Sequence, residues 1–345
     1  MIGKNMKLIL LFMSLFALSG CQGFRYYDAQ KPHRGKDRFY NNYDRAPKPS
    51  FWKWQWERLT KPSQEEPTFA PEVLKTDVTF LQNNRKVPSL TWIGHSTSLL
   101  QIDGINILMD PIFSERASPV SFLGPRRLVA LPFALSELPP IEVVLVSHSH
   151  YDHLDLPTLR ELAKRSPDTV FLVPLGNKEL LVSEGLHNVH EMDWWNEYSF
   201  KNLKLTLTPA QHWSRRTLFD TNQTLWGGWH IRGSSLKVFF AGDTAYSQDF
   251  VDIRARLGSV DLALIPVGAY EPRWFMASSH TNPDDAVKVH LDLGAKLSIG
   301  VHWGTFRISD EFMTAPVEDL RKATEAHHLP ADSFRLLKHG EVLLL

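Results

Sequence analysis

The chain has 345 residues, 43% of them hydrophobic and 22% charged, enough to bury a substantial core in one large domain or two small ones. Its 38 basic and 38 acidic residues cancel, so no general charge draws it to nucleic acid, and no nucleic-acid partner is expected. The 22 prolines and 11 tryptophans point to a loop-rich body carrying much aromatic surface.

Lys4 and Lys7 precede an apolar run over 8–18, closed by Leu18-Ser19-Gly20-Cys21. The run is short for a bilayer span, which favours a cleaved signal peptide over 1–20. Leu-Ser-Gly-Cys resembles the lipobox of bacterial lipoproteins. Cys21 is then the lipidated first residue of the mature chain, and Gln22 after it resembles the outer-membrane sorting pattern, with the protein facing the periplasm. As Cys21 is the sole cysteine, no thiol remains for a disulfide, a metal or a nucleophile. Residues 21–75, polar and proline-rich, read as a lipidated tether and extension. Within them Phe51-Trp52-Lys53-Trp54-Gln55-Trp56 reads as a short helix, resting at the membrane interface or docked on the domain surface.

A single mixed domain is expected over 76–345. Strand-like runs fall at 91–93, 99–102, 105–109, 143–146, 170–173, 203–208, 236–240, 262–265 and 297–301. Helical patterns fall at 157–163, 177–184, 249–257, 283–292 and 316–326.

The chemistry-bearing residues lie just after these strands. His148-Ser149-His150-Tyr151-Asp152-His153 follows the run at 143–146. In extended chain, residues two apart point the same way, so His148 and His150 can reach one metal ion. Asp152 and His153 lie at the turn into the next helix, placed to reach a second. His212, Asp243 and His302 each follow a later strand. Singly these are ordinary strand-end residues; together they make five histidines and two aspartates. Imidazole and carboxylate suit zinc, or iron or manganese in a harder site.

The set and its order resemble the metallo-β-lactamase superfamily. That resemblance implies an α/β fold of the four-layer α/β/β/α sandwich type. It implies one metal on His148, His150 and His212, a second on Asp152, His153 and His302, and Asp243 bridging both. Two cations roughly 3.5–4 Å apart can activate water and hold phosphoryl oxygens. Further motifs resemble the N-acyl-phosphatidylethanolamine-hydrolysing phospholipase D family: Gly94-His95-Ser96-Thr97, Asp110-Pro111-Ile112-Phe113-Ser114, Glu191-Met192-Asp193-Trp194-Trp195 and Tyr270-Glu271-Pro272-Arg273-Trp274-Phe275-Met276. The similarity runs over about 70–345.

This resemblance implies a zinc-dependent phosphodiesterase that releases phosphatidic acid and an N-acylethanolamine from a membrane phospholipid, and it suggests a homodimer. The catalytic candidates are Asp152, Asp243 and His280, which matches a family histidine near the substrate phosphate and is expected to contact it or assist as an acid. His95 and Asp110 are candidates for orienting the ligands, and Tyr270 and Arg273 for touching or supporting the substrate. Ser279 departs from the family's animal members, which carry glutamine there. Two other readings stand beside this one: a hydrolase of a lactone or cyclic phosphodiester on the same metals, and a non-catalytic lipid-binding envelope protein.

Overall fold

In the computed structural model, which describes residues 23–43, 50–60 and 71–345, most of the apolar runs form strands covered on both faces. The signal segment and Cys21 lie outside the described residues. Chain contacts divide the protein into two units, at Tyr40 and Asn41. The described part of the first unit is a run of turns. Arg34 donates to the Tyr26 carbonyl and pairs with Asp28, and the rings of Phe24 and Phe39 meet edge to face at 5.0 Å.

The second unit, Asn41–Leu345, carries two seven-stranded sheets. The first contains β1 (Ser89–Gly94), β2 (Thr97–Ile102), β3 (Ile105–Met109), β4 (Val143–Leu145), β5 (Val170–Pro174) and β6 (Val189–Met192), and later receives the last strand of the chain. The second contains β7 (Glu197–Phe200), β8 (Leu203–Thr208), β9 (Gly228–Arg232), β10 (Lys237–Phe240), β11 (Leu262–Pro266), β12 (Leu297–Val301) and β13 (Phe334–Leu336). The last strand, β14 (Val342–Leu344), pairs antiparallel with β1. Each sheet changes direction once: β1 to β3 are antiparallel and β3 to β6 parallel, while β7 to β10 are antiparallel and β10 to β13 parallel.

Helices cover the outer faces. α1 (Phe51–Thr60) stands apart from α2 (Val78–Asn83), α3 (Leu156–Arg165) and α4 (Lys178–Ser183), which bury Leu81, Leu159, Leu162 and Leu181 in one core with Val144, Val146, Phe171 and Val173. On the second sheet, α5 (Asp249–Leu257), the single turn α6 (Arg273–Met276), α7 (Pro283–Leu293) and α8 (Ala315–Ala326) follow. α7 starts where Asn282 accepts from the Asp285 amide with Pro283 in the first turn, and stops at Gly294 in left-handed conformation. The result is the four-layer α/β/β/α sandwich. Strands with both faces covered become continuous apolar runs, which is why the central ones were legible. The polar edge strand β7, the three-residue β13 and β14, and β6 and β9 carry no such run.

The aromatic helix α1 docks on this unit. Trp54 stacks on Phe275 at 4.6 Å, its indole donates to Asp310 at 2.9 Å, and Arg58 pairs with the same carboxylate. Trp52, Trp56 and Leu59 stay exposed.

Trp229 of β9 pegs the two sheets together. It is fully buried, and its indole N–H donates to the Val146 carbonyl, beyond β4 in the other sheet, at 3.0 Å. Trp229→Ala should cost about 3–5 kcal/mol of stability, and Trp229→Phe, which removes mainly the N–H, about 1–3 kcal/mol. Urea denaturation checks both; an unchanged midpoint in Trp229→Ala would contradict the peg.

Candidate metal centre

All seven predicted ligands lie in loops that leave the ends of strands. His148–His153 lie between β4 and α3, His212 follows β8, Asp243 follows β10 and His302 follows β12. The backbone is forced at several of these points. His95, Asp110 and His302 adopt φ of 52°, 39° and 64°, a left-handed region that costs non-glycine residues about 1–3 kcal/mol. Gly242, at φ 60°, brings the chain against Ser147, and a β-carbon at Gly268 would collide with the His302 carbonyl.

Three imidazoles converge on one point. His148 Nε2 lies 2.8 Å and His212 Nε2 3.3 Å from His150 Nδ1. The outer nitrogens of two of them are occupied. His212 Nδ1–H donates to the Ser279 carbonyl at 2.8 Å, and His148 Nδ1 lies 2.9 Å from Ser147 Oγ, whose own proton goes to Asp110. Their Nε2 lone pairs therefore face His150 Nδ1, and a single proton there cannot satisfy both. A second group gathers around Asp152 Oδ2, with His153 Nε2 and His302 Nε2 each at 3.4 Å and His95 Nε2 at 2.9 Å. Asp243 lies between the groups. Its carboxylate is 3.2 Å from Nε2 of both His153 and His302, 3.9 Å from His148 and 3.8 Å from His212.

This donor set fits metal. His153 Nε2, His302 Nε2 and Asp243 Oδ1 are buried with no hydrogen-bond partner among the described residues, an arrangement that buried polar atoms seldom tolerate. His148, His150, His212 and Asp243 form one group able to hold a cation, and His95, Asp152, His153 and His302 another.

The electrostatics agree. Burial pushes His148 down and His150 to about 4, leaving both neutral and able to ligate. Burial opposes the charged forms of Asp152 and Asp243, but the neighbouring His153 and His302 outweigh it and hold both carboxyls well below their usual range. Burial also opposes charge on His153 and His302. The facing carboxylates win there, raising His153 and bringing His302 to about 9.

The remaining candidates take different positions. Asp110, fully buried, accepts from the Ser147 amide at 2.7 Å and from His153 Nδ1 at 2.7 Å, so one carboxylate orients ligands of both groups. His95 is held by Thr305 Oγ1 at its amide and touches Asp152. His280 Nδ1 lies 3.8 Å from Asp243 Oδ2, and burial lowers its pKa to about 4. Tyr270 and Arg273 bond elsewhere: the phenol to Asp319 at 2.6 Å, the guanidinium to the His280 carbonyl and Asp285. Arg273 thus braces His280 from behind. Ser147, Thr305, the Ser279 carbonyl and Asn41, which bonds the His212 backbone, were not foreseen, because hydroxyls, amides and carbonyls carry no sequence mark of what they will meet.

Residues 105–303 match the beta-lactamase superfamily domain. N-acyl-phosphatidylethanolamine-hydrolyzing phospholipase D 1 of Caenorhabditis elegans is 39% identical over 264 residues, 73% of this chain and 74% of its own. The mitochondrial protein of the same description from Saccharomyces cerevisiae is 40% identical over 243 residues, 68% of this chain and 51% of its own. A solved structure from Veillonella parvula, described as a possible metal-dependent hydrolase, superposes with TM-score 0.61 over 75% of this chain and all of its own, at 21% identity, a likeness of fold alone. Fold and site together define a metal-dependent hydrolase of the beta-lactamase superfamily. Within it, the chain belongs to the N-acyl-phosphatidylethanolamine-hydrolysing phospholipase D family.

The raised pKa values have a consequence for metal loading. Protons and metal compete for Nε2 of His302 and for His153, so the metal-free centre is protonated at about pH 7 and must lose those protons on binding. Apparent metal affinity should rise as the pH climbs from neutral towards the His302 value of about 9. Calorimetry in buffers of different ionisation enthalpy counts the protons released. Equal affinity across that range with no proton release would contradict the assignment.

Proposed function

We propose that this protein uses two metal ions, zinc by the donor set, to hydrolyse the phosphodiester of N-acyl-phosphatidylethanolamine on its ethanolamine side. The observation that carries the two-ion reading is Asp243, whose carboxylate lies within 4 Å of nitrogens from both ligand groups. Five imidazoles and two carboxylates suit zinc, with iron and manganese as the alternatives. The substrate reading is supported by the activity named in the worm and yeast relatives.

Surface chemistry supports a lipid substrate. Two loops next to the centre expose large apolar side chains. Phe122 and Leu123 project from the loop that Ser114 ties to Asp155, and Leu218 and Phe219 from the loop whose Arg216 donates to the Ser149 and Leu154 carbonyls. Phe219 is 94% exposed. Exposed apolar side chains of this kind, like Trp52, Trp56 and Leu59 elsewhere on α1, favour an apolar phase. Among the described residues no helix is long and apolar enough to cross a membrane.

Bound cations would supply Lewis-acid stabilisation of phosphoryl charge and acidify water to a pKa of roughly 7. The chain's residues do the rest. Asp110, Ser147 and the Ser279 carbonyl hold His153, His148 and His212 with their Nε2 atoms turned inward. His280, neutral because burial lowers its pKa to about 4, offers a hydrogen bond to a phosphate oxygen rather than the charge of an imidazolium. In the reaction, water oxygen bonds to phosphorus, the bond from phosphorus to the ethanolamine oxygen breaks, and that oxygen leaves protonated.

In water labelled with oxygen-18, attack at phosphorus places the label in phosphatidic acid. Label in the N-acylethanolamine would overturn attack at phosphorus, and rapid lactone opening with no lipid product would overturn the substrate reading. His280→Ala should lower kcat on the order of 10²–10³-fold while keeping its metal. Asp243→Asn should lose at least one of two ions and most activity, since the shared carboxylate holds both groups. Elemental analysis giving one ion in the wild type would overturn the two-ion reading.

A further inference from the structure

The segment Asn41-Asn42-Tyr43 lies outside the matched domain at 105–303, yet it is bonded into the metal centre. The Asn41 side chain meets both backbone groups of His212: its Nδ2 donates to the His212 carbonyl and its Oδ1 accepts the His212 amide, each at 3.0 Å. The same Oδ1 lies 3.1 Å from the indole nitrogen of Trp226, which also donates to the Ala210 carbonyl. A side-chain amide thus does for His212 what a neighbouring strand would do. It acts just past the end of β8, where the ladder with β9 has finished.

The two following residues fasten the segment. Asn42 Nδ2 donates to the buried Asp249 carboxylate at 2.8 Å, and the Tyr43 hydroxyl donates to Asp252, both on α5. Gln211, the residue before the ligand, reaches the Tyr43 carbonyl. His212 is therefore fixed twice, at its backbone by Asn41 and at its ring by the Ser279 carbonyl. These two restraints set where its Nε2 points, 3.3 Å from His150 Nδ1. Among the described residues, the hydrogen bonds of Asn42 and Tyr43 go to Asp249, Asp252 and Gln211.

We infer that Asn41 is a positioning residue of the metal centre, so that the N-terminal extension completes the His148, His150 and His212 site. Metal affinity falls steeply when a ligand is free to swing, and loss of a group that orients a ligand typically costs about 10–100-fold. Asn41→Ala removes both hydrogen bonds to the His212 backbone and the one from the Trp226 indole. Asn41→Asp keeps the accepting oxygen but sets a carboxylate oxygen against the His212 carbonyl.

The test compares full-length wild type, Asn41→Ala, Asn41→Asp and Asn42→Ala. Each is loaded with zinc, dialysed against rising chelator and analysed for metal, and each is also loaded with cobalt for its visible spectrum. Asn41→Ala should release its first ion at about tenfold lower chelator and show altered cobalt bands, with Asn41→Asp between it and wild type. Asn42→Ala, which loosens the same segment without touching a ligand, should lower the melting temperature while keeping wild-type metal retention and spectrum. Should Asn41→Ala fail to fold, Asn41→Asp carries the comparison. Wild-type retention and spectra in the Asn41 variants would overturn the inference, as would equal metal loss in Asn42→Ala. The readout needs no lipid, so it stands apart from the substrate reading; a wild type that bound no metal would overturn the metal reading and this inference together.

Discussion

The carboxylate of Asp243 is the negative charge around which the centre is arranged. Imidazole nitrogens from four separate loops approach it within 4 Å, and they repel one another as lone pairs or as protons. Burial alone would keep Asp243 neutral, but the charged imidazoles facing it hold it ionised. A buried charge is tolerable only when its surroundings answer it. Here the answer comes from His153 and His302, and bound metal would supply it in their place.

Holding so many ligands requires rigidity from outside the cluster. His95, Asp110 and His302 sit in left-handed backbone, a cost that the packed sheets beneath them offset. Each also bonds across elements: His302 donates its amide to the His95 carbonyl, and Thr97 donates to the Asp110 carbonyl. The first sheet supplies Asp110 and the loop carrying His148, His150, Asp152 and His153; the second supplies His212, Asp243 and His302. Trp229 ties the sheets together one residue before Ser147, so the packing of the core and the geometry of the centre are coupled.

The segment Tyr270–Met276, one of the runs that resemble the family, contributes to the centre indirectly. Its polar groups turn away: Tyr270 to α8, Glu271 through its amide to Glu311, and Arg273 to the His280 carbonyl and Asp285. Phe275 receives Trp54 from the aromatic helix. The run therefore braces His280 through Arg273 and seats α1 through Phe275, two tasks that demand specific side chains.

The ligand types and their places could be read from the sequence. His148, His150, Asp152, His153, His212, Asp243 and His302 each stand just past an apolar run, and a run buried on both faces is continuous enough to recognise. The central strands and the longer helices were visible for the same reason. Edge strands such as β7 were not, because half their residues face water, and β13 and β14 are too short to show a period. The resemblance already implied that Asp243 stands between the two groups; only the tertiary structure gave the distances there and decided which groups orient the ligands. Ser147, Thr305, the Ser279 carbonyl and Asn41 act through hydrogen bonds of about 3 Å or less to residues mostly distant in sequence. Such a bond depends on where the fold brings two polar atoms together, and neither partner's local sequence records the other.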